Sequence, residues 1–65
     1  MTGHRLREWR KSIRLSQRAA AKLFECSLGT IQYLENGDRT PGIRIALAIQ
    51  TVTGIRVAEW VKAAS

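Results

Sequence analysis

Ser16 and Ser27 each stand directly before a short segment whose apolar residues recur at helical spacing. A serine in that place accepts a hydrogen bond from an amide left unpaired in the first helical turn, so it fixes where a helix begins. The first segment, roughly 17–24, turns Ala20, Ala21 and Phe24 to one side, and the second, roughly 28–35, does the same with Ile31 and Leu34. Gly37 then stops the second helix, because it accepts positive φ without a Cβ clash. Only Glu25, Cys26 and Ser27 join the two helices. So short a joint makes them cross closely, and the small Ala21 suits that crossing. Cys26 acts there as a small hydrophobe plugging the turn.

The remaining chain reads as three more helices. One covers roughly 4–13, with Leu6, Trp9 (or Arg10) and Ile13 inward. Thr40-Pro41 is a cap-then-proline start for a fourth, which buries Ile45, Ala48, Ile49 and Val52 and ends at Gly54. The last, roughly 57–64, offers Val57, Trp60 and Val61. β-Branched residues do not alternate between hairpin turns, so strands are a poor reading. The expectation is an all-α, compact five-helix domain filling residues 1–65, near the lower length limit for independent folding.

Several function classes drop out. No apolar run approaches the roughly 18 residues of a membrane span, and the charged start lacks the apolar core of a signal peptide. The lone Cys26 cannot form an internal disulfide, and one Cys with one His cannot make a structural zinc site. A reducing cytoplasm without metal or other cofactor is therefore expected. His4 reads as a surface residue. Neither His4 nor Cys26 belongs to a recognisable catalytic pattern, no carboxylate pair marks a cleft, and no glycine-rich loop cradles phosphate. An enzyme is not expected.

Charge is unevenly placed. The whole net excess of +6 lies in residues 1–24, where Arg5, Arg7, Arg10, Lys11, Arg14, Arg18 and Lys22 face a single Glu8. Beyond residue 24, Arg39, Arg44, Arg56 and Lys62 are balanced by Glu25, Glu35, Asp38 and Glu59. Such a basic end suits a polyanion, nucleic acid being the commonest, although a solvated helix face looks the same in a sequence.

Two short helices with a tight joint make a helix-turn-helix candidate at about 17–36. The string LSQRAAAKLFECSLGTIQYLENGDRTP resembles the lambda-repressor-like (Cro/C1-type, XRE) family of DNA-binding regulators. The matching positions are Leu15, Ser16, Gln17, Ala21, Ser27, Thr30, Ile31, Glu35, Asn36, Gly37 and Pro41, and the likeness extends over about residues 4–62. Three positions depart from the family pattern. Ala20 stands where leucine is usual, leaving space that Trp9 is expected to fill. Glu25 replaces the turn glycine, so a residue with a Cβ is expected at unfavourable φ. Arg56 replaces the Ser/Thr cap of the last helix.

The resemblance implies a mechanism. The third helix would enter the major groove of double-stranded DNA while the second crosses the backbone. Leu28, Gly29, Gln32 and Tyr33 would face bases: Gln32 bidentate to adenine, Leu28 on a thymine methyl, Gly29 allowing close approach. Tyr33 would reach a base or a phosphate, or else be partly buried against the fourth helix. Phosphates would be held by Arg10, Gln17, Arg18, Ser27, Thr30, Asn36, Arg39, Thr40 and Arg44. An Arg10–Glu35 ion pair is also implied, and it can equally be a brace with no DNA role. The family's dimer contact corresponds to Gly54–Val61, with Ile55, Val57, Ala58 and Val61 taking part, so a homodimer on an inverted-repeat operator is expected. With no effector-binding or cleavable segment in view, control would come from concentration, competition or a partner protein. The implied output is repression, including of its own gene, in the cytoplasm at the nucleoid. The alternative is an antitoxin-like protein that binds a partner and represses its operon secondarily.

Overall fold

The computed structural model describes the backbone of residues 2–64 and the side chains as far as Trp60. It holds α1 (Thr2–Ser12), α2 (Gln17–Leu23), α3 (Leu28–Asn36), α4 (Ile43–Thr53) and α5 (Val57–Ala64), with no strand among the described residues. α3 packs on both α1 and α2, while α5 packs on α4 and on the start of α1. Leu6, Ala20, Ala21, Phe24, Ile31, Leu34, Ala46, Ile49, Ile55 and Trp60 form one core, each at most 4% exposed. Trp9 closes over it from α1, its ring 6.0 Å from that of Phe24 and tilted by 45°. The Cα radius of gyration is 10.3 Å, against about 11 Å for a folded chain of this length. The helices therefore close on one another without a partner.

The helix ends follow from local chemistry. Ser16 Oγ accepts from the Ala19 N–H at 3.0 Å, and Ser27 Oγ accepts from the Thr30 N–H at 3.1 Å. α1, α2 and α3 all stop by the same paired device. In it one residue past the helix donates to a carbonyl three back, and the residue after it donates to a carbonyl five back. The pairs are Leu15 to Arg10 and Arg14 to Lys11, Cys26 to Ala21 and Glu25 to Lys22, and Asp38 to Tyr33 and Gly37 to Leu34. The device needs a left-handed residue, supplied by Arg14 at φ 55°, Glu25 at φ 56° and Gly37 at φ 82°. The strain expected at Glu25 is present, and Arg14 carries an unforeseen second instance.

Other boundaries differ from expectation. α1 begins at Thr2 because tertiary contacts hold its first turn: Thr2 Oγ1 donates to the Glu59 carbonyl at 2.9 Å. Gly3 is buried beneath the end of α3, where an added Cβ would fall inside the Leu34 carbonyl oxygen. Ile13 is not a core residue but 53% exposed, since α1 stops at Ser12 and Ile13 lies in the turn that follows. α4 does not start at Thr40-Pro41. Its N-cap is Gly42, in extended geometry and with no side-chain cap, and its expected inward Val52 is 43% exposed. Ile45 and Ala48 are only partly buried, and Ala46 and Ile49 carry that face.

Arg56 cannot cap α5 with its side chain, and two other residues supply the missing acceptors. Glu59 Oε2 accepts from the Arg56 N–H at 2.8 Å, and Gln50 Oε1 accepts from the Val57 N–H at 3.0 Å. Glu59 also pairs with Arg5 of α1. None of the described helices is long and apolar enough to cross a membrane.

Candidate nucleic-acid interface

The rear of α3 is fixed by an ionic network. Glu35, with a side chain only 2% exposed, receives Arg10 Nε at 2.7 Å on Oε2. Its Oε1 receives Arg10 Nη2 at 3.0 Å and Gln17 Nε2 at 3.1 Å. Arg10 Nη1 donates to the Leu15 carbonyl at 2.8 Å. Three segments are thereby locked: α1, the entry to α2 and the last turn of α3. The hydrogen bond to Glu35 pushes the Arg10 guanidinium pKa up, against the opposing effect of burial. A carboxylate this buried is tolerable because the fork of Arg10 and the Gln17 amide satisfy both of its oxygens. Of the roles expected for Arg10, the brace is thus filled, and with its side chain 12% exposed only a small edge remains for a phosphate.

The front of α3 is open. Ile31 and Leu34 point into the core, while Gln32, Tyr33 and Asn36 stand in solvent. Tyr33 is 46% exposed, so a large part of its side chain faces solvent while the rest is covered. Leu28, Gly29 and Thr30 are half-buried at the helix start, with Thr30 Oγ1 2.8 Å from Ser27 Oγ. Internal packing does not ask for glycine at position 29. A Cβ there would meet only Ser27 Oγ at 3.9 Å and the Tyr33 ring at 4.0 Å, ordinary contact distances. A glycine kept inside a helix costs about 0.5–1 kcal/mol relative to alanine. Its use at position 29 therefore lies outside the packing of this chain.

Around this face, Arg18, Arg39, Thr40 and Arg44 are exposed, and Gln17 is half-buried behind the α2 cap. Burial pushes the Cys26 thiol pKa up, opposed by the charge of Arg44, which places that arginine near the turn between α2 and α3. The Arg39 guanidinium carbon lies over the Tyr33 ring, 4.8 Å from its centroid. That pairing bridges the loop after α3 to the helix face, and sequence spacing gave no sign of it.

The expected dimer residues do not form one surface. Ile55 is 2% exposed and belongs to this chain's own core, because its amide is drawn inward by Thr53 Oγ1 at 3.0 Å. As a contact for a second copy it is therefore corrected. Val57 is half-buried, Ala58 is exposed, and the side chain of Val61 lies outside the described residues. Sequence reasoning missed Gly3 and Glu59. The first left no signal, but the second did: a glutamate three residues into a helix commonly accepts from the residue before it.

Comparison with curated proteins gives no significant match, and neither does comparison with solved structures. The family model HTH_3, described as helix-turn-helix, matches residues 6–60, nearly the whole of the described fold. With α2 and α3 joined by a capped four-residue turn inside that match, the chain belongs to the Cro/C1-type helix-turn-helix family of DNA-binding transcriptional regulators.

Proposed function

We propose that this regulator is a small repressor that inserts α3 into the major groove and binds an inverted-repeat operator as a homodimer. The observation that carries the reading is the contrast across α3, anchored behind by the Arg10–Glu35–Gln17 network and free in front at Gln32, Tyr33 and Asn36. Gln32 presents the one amide at the centre of that face and is the reader, bidentate to adenine. Leu28 packs on a thymine methyl, and Gly29 lets the helix backbone come close. Gln17, Arg18, Ser27, Thr30, Asn36, Arg39, Thr40 and Arg44 line the flanks where phosphates pass, with the exposed edge of Arg10 behind them. Arg7 and Lys11 lengthen the basic flank along α1, and Arg14 extends it into the turn that follows.

One domain this small discriminates poorly alone, and two-fold pairing doubles the sequence it reads. Val57, Ala58 and Val61 are the residues of α5 we assign to the pairing. Occupying a promoter in this way blocks polymerase, and the gene's own promoter is the first candidate. Footprinting on the DNA upstream of the gene tests this directly. A protected palindrome whose half-sites lie about one helical turn apart supports the reading. Sedimentation of a monomer on that DNA would sink the dimer, and uniform protection without a palindrome would sink specific repression.

A further inference from the structure

We propose that Tyr33 is a positioning residue whose ring holds Arg39 on the DNA-facing side of α3, where Arg39 grips a backbone phosphate. The proposal rests on α3 being the recognition helix and changes what Tyr33 does there. Arg39 sits in the irregular segment between α3 and α4, where an exposed arginine would otherwise sample many rotamers. Among the described residues the ion pairs join His4 to Glu8, Arg5 to Glu59 and Arg10 to Glu35, so Arg39 has no carboxylate partner, even with Asp38 beside it in sequence. What holds it is the Tyr33 ring face, at 4.8 Å.

A guanidinium stacked in this way is held through its flat face, and its in-plane N–H groups stay free for a phosphate. Ordering the side chain before DNA arrives removes part of the entropy cost that binding would otherwise carry. The same contact commits one face of Tyr33 to Arg39, so the side chain serves the backbone rather than a base. Base reading by hydrogen bonds then narrows to Gln32, and the Tyr33–Arg39 pair becomes one unit of backbone grip.

The test uses a duplex selected from a random-sequence pool by the unaltered chain. Affinity is measured across a salt series for Tyr33→Phe, Tyr33→Leu, Arg39→Ala and the Tyr33→Leu/Arg39→Ala double variant. Tyr33→Phe keeps the ring and should bind like the unaltered chain. Arg39→Ala should lower the slope of log affinity against log salt by up to about 0.9, the value of one phosphate contact. Tyr33→Leu removes no charge, yet it should lower that slope too, which neither a structural role nor a direct base contact would do. With Arg39 already absent, losing Tyr33 should cost about two- to fivefold less than it does alone. The proposal is overturned if Tyr33→Phe binds as weakly as Tyr33→Leu, if the losses in the double variant simply multiply, or if Tyr33→Leu leaves the slope unchanged. Failure of the unaltered chain to enrich any duplex would instead remove the recognition-helix reading itself.

Discussion

Behind α3, Glu35 is buried and takes hydrogen bonds from Arg10 and Gln17, whereas in front Gln32 is solvated and the Tyr33 ring meets the long, flexible side chain of Arg39 from the next loop. One helix thus carries a fixed side and an uncommitted side a few ångströms apart. The two sides are separable in an experiment. Substitutions behind should change stability and leave the identity of the preferred DNA alone, while substitutions in front should do the reverse.

The largest expected effect lies behind. Arg10→Ala strands Glu35 as a buried, uncompensated charge and should cost about 3–5 kcal/mol in urea unfolding. That is comparable with the whole stability of about 3–10 kcal/mol for a chain of this length. A loss below about 1 kcal/mol would mean that Glu35 escapes to water, and the contrast would collapse. Gly3→Ala comes next. Its methyl would press on the Leu34 carbonyl, and overpacking of this kind costs about 1–3 kcal/mol. An unchanged melting temperature would show that α1 can slide away from α3 freely.

In front, Gln32→Ala should leave unfolding untouched but relax preference at one base pair, by about 1–3 kcal/mol in competition binding. Identical preference would remove Gln32 as the reader. The smallest effect is the sharpest discriminator. Gly29→Ala should stabilise the fold by about 0.5–1 kcal/mol, because nothing inside the chain opposes the methyl, and should still weaken DNA binding. A variant both more stable and equally tight would show that no partner approaches position 29.

What was legible in the sequence was what short-range chemistry decides. Ser16 and Ser27 cap helices through bonds to residues three positions on, so the sequence positions suffice to place them. The left-handed Glu25 was legible through the family resemblance, because it stands where a turn glycine is usual. Ile13 failed because an apolar residue at the right spacing says nothing of where the helix stops, and α1 stops one residue earlier, at Ser12. The start of α4 failed because proline permits a helix without requiring one. Gly3 and the stacking of Arg39 on Tyr33 depend on segments that meet only in the folded chain, and no local pattern encodes such meetings. At the site, the front residues were legible as a face, but the division of labour among them required coordinates.

Glu59 has a consequence for how the protein is handled. Its carbonyl takes the Thr2 hydroxyl, its carboxylate meets Arg5, and the same carboxylate holds the Arg56 amide just before α5. The first turn of α1 is thereby a structural support for α5. Trimming the first five residues, or crowding them with an affinity tag, would loosen α5 without touching it. Because α5 is also where we place the pairing of two copies, a tag chosen for convenience would shift the apparent monomer–dimer balance. Tagged and untagged protein should therefore be compared before any assembly constant is assigned to the sequence itself.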